Sequence, residues 1–204
     1  MQRLCEVTDS LLISNARLAR SPELVRRGAP TLCINVTQRQ PFPDVAVVGR
    51  AVRVAVRDRP DEDLYRHFDA CADAIHREAQ NGGRTLVYCK NGRSRSAAVC
   101  AAYLVKYRQV ALTDALKTVA AARPQAAPNR GFVAQLQRYE DELRGRRRRE
   151  SPWSRGSPES PDPIFLKTTF LGLMTAPAET GSRHRRARGG RDAADSPGPR
   201  PRGG

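Results

Sequence analysis

The 204 residues hold no CxxC pair, no GxxxxGK[ST] loop and no apolar run near the ~20 residues that span a bilayer. The five cysteines (Cys5, Cys33, Cys71, Cys89 and Cys100) are scattered, and the three histidines (His67, His76 and His184) lie far apart. That distribution argues against a zinc centre, and no metal or cofactor is expected. Without a phosphate-cradling GxxxxGK[ST] loop, a kinase or nucleotide hydrolase is disfavoured. The start of the chain does not resemble a signal peptide, so the expectation is reduced thiols in the cytoplasm, with the nucleus as a second compartment. Aromatic residues are few, and Trp153 stands alone among the arginines of its region. Nucleic-acid binding normally interleaves aromatics with basic groups and is therefore not expected.

What the chain has in excess is arginine. Basic residues number 36 against 21 acidic ones, a formal charge of +15, and 32 of the 36 are arginine. Guanidinium groups suit phosphate-bearing partners better than ammonium groups do. The excess is uneven: up to Leu143 there are 22 basic and 15 acidic residues, and from Arg144 onward 14 and 6.

Residues 31–36 (TLCINV), 51–56 (AVRVAV) and 84–88 (RTLVY) read as short β-strands, with LLIS at 11–14 and LCEV at 4–7 as weaker candidates. Helical patterns alternate with them. Ser21-Pro22-Glu23-Leu24 opens one helix, and 63–80 places Leu64, Phe68, Cys71, Ala72 and Ile75 on one face. Residues 96–107 are apolar nearly all round, as a central helix must be, and 112–122 and 129–143 supply two more. The alternation predicts an α/β domain over 1–145, a mostly parallel or mixed central sheet flanked by helices. Residues 146–204 fill with Arg, Pro, Ser and Gly and are expected to be a disordered tail, interrupted by the apolar island at 164–174. The run Arg146–Arg149 reads as a solvated helix end.

One chemical pattern needs sorting from its imitations. A cysteine six places ahead of an arginine arises readily by accident in so arginine-rich a chain, and it occurs three times: Cys33–Arg39, Cys71–Arg77 and Cys89–Arg95. A phosphate site needs a loop of converging backbone N–H groups that runs into a helix N-terminus. Cys33 lies within a strand and no glycine separates it from Arg39. Cys71 sits on the apolar face of a helix. Only Cys89 ends a strand, is followed by Gly92 for a strained turn, and meets a helix start at Arg95-Ser96.

The chemistry follows from that placement. Only the thiolate of a cysteine attacks, and loop amides, the helix dipole and nearby guanidinium groups favour the anion. The loop comprises Cys89, Lys90, Asn91, Gly92, Arg93, Ser94 and Arg95. Arg95 can grip two phosphate oxygens in a bidentate fork. Ser96 either caps the helix or donates to the Cys89 sulfur as it leaves. Displacement also needs a proton for the departing oxygen, and Asp58, just after the 51–56 strand, is the candidate acid. Asp61, Glu62 and Asp63 read instead as the acidic first turn of the next helix. Lys90, Arg93, Arg57 and Arg59 flank this region, either attracting acidic substrates or as ordinary solvated charge.

CKNGRSRSA behind an apolar strand, Asp58 on the preceding loop and ARPQAAPNRGFVAQLQRYEDEL downstream together resemble the atypical dual-specificity branch of the cysteine-based protein phosphatases, over residues 4–143. The resemblance implies the cysteine-phosphatase fold, a phosphocysteine intermediate, no metal, and a shallow pocket that admits phosphotyrosine as well as phosphoserine and phosphothreonine of phosphoproteins. It implies that Asn129 caps its helix and braces the phosphate loop rather than touching substrate. A monomer is assumed. One residue departs from the pattern: Tyr88 stands where the family usually has a histidine that orients the loop and lowers the cysteine pKa. A smaller thiolate fraction and weakened catalysis are expected. The alternatives are a silent phosphate-binding adaptor and, with less support, a rhodanese-like sulfurtransferase.

Overall fold

A computed structural model describes residues 4–44 and 48–150. The expectations for 151–204, the apolar island included, lie outside the described residues. Five strands form one sheet: β1 (Cys5–Thr8), β2 (Leu11–Asn15), β3 (Leu32–Asn35), β4 (Arg50–Arg53) and β5 (Thr85–Cys89). Their order is β1-β2-β5-β3-β4, with β1 antiparallel to β2 and all other pairs parallel. The helices are α1 (Ala16–Ala19), α2 (Pro22–Gly28), α3 (Tyr65–Gln80), α4 (Arg95–Tyr103), α5 (Leu112–Ala122) and α6 (Arg130–Glu150). The mixed, helix-flanked sheet is the architecture expected from the sequence.

β5 is central and buried along its whole length, as a parallel strand covered on both faces must be. Alternation splits its side chains between two cores. Val87 and Cys89 join Ile13, Ile34, Phe68, Ile75, Val99, Phe132 and Leu136 on the side of α3, α4 and α6. Leu86 and Tyr88 join Leu12, Cys33, Ala16 and Val25 on the side of α1 and α2. Cys33 and Cys71 are buried thiols in strand and helix, and burial pushes both up to about 12.

Two boundaries differ from the sequence reading. The central helix ends at Tyr103 and passes into a π-turn, Leu104–Arg108, closed by Gln109 in the left-handed region at φ 55°. α6 continues through Glu150, beyond the expected boundary at residue 145. The cause is specific pairing of its arginines. Arg146 meets Asp69 at 3.3 Å and Glu142 at 3.7 Å. Arg147 donates to the carbonyls of Val105 and Lys106, at 3.0 and 3.1 Å, within the π-turn. The run Arg146–Arg149 is a helix end, as read from the sequence, but Arg146 and Arg147 are paired rather than only solvated.

Asp69 lies at the centre of this junction, accepting from Lys106 at 2.8 Å, Tyr139 Oη at 2.6 Å and Arg146. Partial burial works against its ionisation, but these donors prevail and hold the carboxyl at about 2. An unfolded aspartate titrates at about 3.9. The native state therefore gains stability from Asp69 that is fully present above about pH 4 and is lost as pH falls through about 2. The carboxylate is 43 % exposed, so solvent screening keeps the gain modest. Urea unfolding of wild type and Asp69→Asn at a series of pH values should show a stability gap above pH ~4 that closes toward pH ~2.

Candidate active site

β2 and β5 run side by side with Asn15 opposite Cys89, and beyond these residues both chains turn, β2 into α1 and β5 into the loop 90–94. The loop is held from outside by its carbonyls. Lys90 O accepts from Ala16 N at 3.3 Å, and Arg93 O from Ala127 N at 2.8 Å. Between them, Asn91 O accepts from Arg123 Nη2 at 3.1 Å and Gly92 O from Arg123 Nε at 2.6 Å. A trans peptide directs its N–H opposite to its C=O. With four consecutive carbonyls turned outward, the amides of Asn91, Gly92, Arg93 and Ser94 turn inward, and among the described residues they donate to no protein group. Such a nest of amides at a helix N-terminus is an anion cradle.

Gly92 makes the turn possible. Its φ is +64°, and a Cβ there would lie 2.5 Å from the backbone oxygen of Ser14. Any side chain would both strain the loop and strike β2.

Cys89 is fully buried at the base of the cradle, with Sγ 3.2 Å from Ser96 Oγ. Of the two duties expected for Ser96, proximity to the sulfur is the one observed; the residue at the cap position of α4 is Ser94, and no side-chain cap bond forms there. Ser94 Oγ instead accepts from Asn129 N at 3.0 Å. Arg95 is 8 % exposed. Its Nη1 donates to Val56 O at 3.1 Å, while Nε is buried without a hydrogen-bond partner among the described residues. A buried unpaired donor is costly, and this one faces Asp58 Oδ2 across 3.7 Å.

Asp58 reaches the cradle from the loop after β4. Asn129 Nδ2 donates to its Oδ1 at 3.1 Å, while Asn129 Oδ1 accepts from Phe132 N at 3.0 Å as the cap of α6. One asparagine thus caps α6, holds Asp58 and, through its backbone amide, braces Ser94. Two further residues of the same segment support the Asp58 loop. Gly131 lies against the Pro60 backbone so closely that no Cβ fits. Gln135 accepts from Leu64 N and Tyr65 N, at 3.0 and 2.8 Å, and donates to Glu62 O at 2.8 Å. Of the acidic rivals, Asp61 pairs with Arg59 at 3.0 Å and Glu62 meets Arg57 at 4.0 Å, both away from Cys89's cradle.

Asp58 and Arg95 open on a cleft of about 300 Å³ lined also by Thr37, Gln38, Arg39 and Lys90. Tyr88 is buried on the opposite face of the sheet from Cys89, and its hydroxyl donates to Pro41 O at 2.8 Å. Burial drives its ionisation well above the usual phenol range, so it stays a neutral donor. The structure thus brings Cys89, Arg95, Ser96, Asp58 and Asn129 together and leaves Tyr88 behind the site.

The sequence reading assigned no individual role to Arg123, Gly131 or Gln135. Arg123 carried a usable signal: a basic residue directly after an amphipathic helix and before proline, where a side chain can fold back onto neighbouring carbonyls.

Residues 18–142 match the family described as the dual specificity phosphatase catalytic domain. Dual specificity phosphatase 28 of Mus musculus is 50% identical over 137 residues, which cover 67% of this chain and 83% of that protein. The crystal structure of human dual specificity phosphatase 28 bearing a tyrosine-to-histidine substitution has a TM-score of 0.69 at 44% identity and covers 72% of this chain and 99% of that one. A mouse protein solved in complex with zinc tungstate has a TM-score of 0.68 at 47% identity, covering 71% of this chain and 90% of its own.

The anchoring of the loop carries a prediction independent of turnover. Arg123→Gln removes the guanidinium that turns two carbonyls outward, and affinity for a tetrahedral oxyanion such as tungstate should fall about tenfold or more by calorimetry. Gly92→Ala should abolish that binding.

Proposed function

The chain belongs to the dual specificity phosphatase family, and from that premise we propose that Cys89, Arg95 and Asp58 carry the reaction, that Ser96 assists the sulfur, and that Tyr88 holds the rate low. The chain is a protein phosphatase. The finer reading is hydrolysis of phosphotyrosine and of phosphoserine or phosphothreonine monoesters on phosphoproteins, by a monomer.

The observation that carries the proposal is the convergence of three groups on one cradle: inward-turned loop amides, Arg95 Nε without a hydrogen-bond partner among the described residues and Asp58 held by Asn129. In the first step Cys89 Sγ, as thiolate, attacks phosphorus while the loop amides and Arg95 hold the non-bridging oxygens. The phosphorus–oxygen ester bond breaks, and protonated Asp58 gives its proton to the departing alcohol or phenol. In the second step a water attacks the phosphocysteine, and the Asp58 carboxylate takes its proton. The sulfur–phosphorus bond breaks, and the Ser96 hydroxyl stabilises the returning thiolate. Phosphate leaves and the enzyme is restored. A similar mouse protein was solved in complex with zinc tungstate, and tungstate is a tetrahedral oxyanion like phosphate, which supports affinity for such an anion.

Weak turnover follows from Tyr88. A phenol carries no positive charge in any protonation state, whereas the histidine usual at this position in the family can. The experiment is hydrolysis of a fluorogenic aryl phosphate from about pH 5 to 9. Turnover should vanish in Cys89→Ser, fall about 10²- to 10⁴-fold in Asp58→Asn and rise in Tyr88→His. Turnover no higher than that of Cys89→Ser at every pH would leave a phosphate-binding adaptor instead.

A further inference from the structure

Tyr88 has neighbours that give it a task of its own. In the parallel ladders, Tyr88 of β5 stands beside Asn35 of β3, and Asn35 beside Arg53 of β4. Residues paired in this way project from the same face of a sheet. The three form one row across the carboxyl ends of three adjacent strands, on the face opposite Cys89.

All three reach the same stretch of backbone. Tyr88 Oη donates to Pro41 O at 2.8 Å. Asn35 Nδ2 donates to Gln40 O at 2.8 Å, and Arg53 Nη2 donates to the same carbonyl at 2.9 Å. Arg53 Nη1 donates to Thr37 O at 3.0 Å, and its guanidinium lies 4.6 Å from the centre of the Phe42 ring. Thr37 closes the network. Its hydroxyl donates to Asn35 Oδ1 at 2.7 Å and accepts from Gln40 N at 3.1 Å. The carbonyls of residues 37, 40 and 41 are all tied to the sheet, although this stretch has no regular secondary structure.

The other side of this stretch is a wall of the active-site cleft, where Thr37, Gln38, Arg39 and Gln40 face Asp58, Lys90 and Arg95. Gln38 and Arg39 are exposed, placed to meet parts of a substrate beyond its phosphate. A small aryl phosphate needs the cradle and the acid, whereas a phosphopeptide also needs the wall.

We propose that Tyr88, Asn35 and Arg53 are positioning residues that clamp the Thr37–Pro41 wall and thereby set the affinity for phosphoprotein substrates. The proposal rests on the phosphatase reading for its substrate class but not for its geometry. Tyrosine at position 88 is then the residue whose length reaches Pro41, a span that the shorter imidazole of histidine does not cover.

Tyr88→Phe keeps the ring and its neutrality and deletes only the hydroxyl. KM for a phosphotyrosine peptide should rise about three- to tenfold, the range of one lost hydrogen bond, with kcat and the KM for the aryl phosphate within about twofold of wild type. Amide exchange of Gln38, Arg39, Gln40 and Phe42 should quicken while that of the cradle stays unchanged. Arg53→Gln should repeat the peptide effect, and the double variant should show less than the product of the two, because both act on one wall. Unchanged peptide KM in both variants, or equal losses on peptide and aryl phosphate, overturns the clamp. Peptide affinity measured in the Cys89→Ser background separates this proposal from the catalytic one. Weaker binding after Tyr88→Phe upholds the clamp even where wild type shows no turnover, and unaltered binding there removes it.

Discussion

The site depends on which way four carbonyls point. A loop of five residues between a strand and a helix can present either oxygens or amide hydrogens to a bound group, and only the second arrangement holds an anion. Here the choice is made from outside, by donors that belong to other elements: the amide of Ala16 at the start of α1, the amide of Ala127, and both available edges of Arg123. Arg123 is buried, so its charge is taken from water and its hydrogen bonds to the loop are charge-assisted. Gly92 supplies the backbone angle, but a glycine by itself is permissive in both directions. The anchors decide.

The second dependency is the separation of the proposed acid, Asp58, from the proposed nucleophile, Cys89 at the end of β5, because they come from distant segments. Residues 57–61 form neither helix nor strand, and the local contacts there, Arg59 with Asp61 and Glu62 N with Arg59 O, do not include Asp58. The Asp58 loop is fixed by α6. Asn129, Gly131 and Gln135 lie on one turn and a half at the start of that helix, and each touches a different point: Asp58, Pro60, and the backbone of Glu62, Leu64 and Tyr65. Because Asn129 also braces Ser94, the acid and the cradle share one support.

Much of this was legible in the sequence, for physical reasons that also mark where legibility ended. The strand and helix periods gave the sheet and its flanking helices, because burial of one face is written directly into spacing. Cys89 was separable from Cys33 and Cys71 because a loop with glycine, placed between a strand and a helix, can present amides, and a position within a strand or a helix cannot. The pairing of the Arg146–Arg149 helix end was not legible, since a run of arginines reads the same whether solvated or paired. Here its partners, Asp69 and the carbonyls of Val105 and Lys106, come from distant segments. Arg123 and the clamp on the Thr37–Pro41 wall escaped for the same reason: side chains that bond to remote backbone leave no periodic trace. A polar Asn35 closing an apolar strand was the available hint, because the carboxyl ends of parallel strands are where open α/β sheets bind ligands.

Tyr88 shows how one position can serve two sides of a sheet. Its backbone continues the strand that delivers Cys89, and its carbonyl accepts from Val36 N at 2.8 Å, so strand and wall segment are joined there whatever the side chain. The side chain then chooses between two benefits. A histidine can bring positive charge toward the nucleophile. A tyrosine extends the row begun by Arg53 and Asn35 and fastens Pro41. The phenol supplies no positive charge in either of its protonation states, and burial keeps it neutral, while the imidazole is too short for the wall. On the proposed reading, slow chemistry and a rigid cleft wall are not separate traits. They follow from a single side chain that can satisfy only one of two demands.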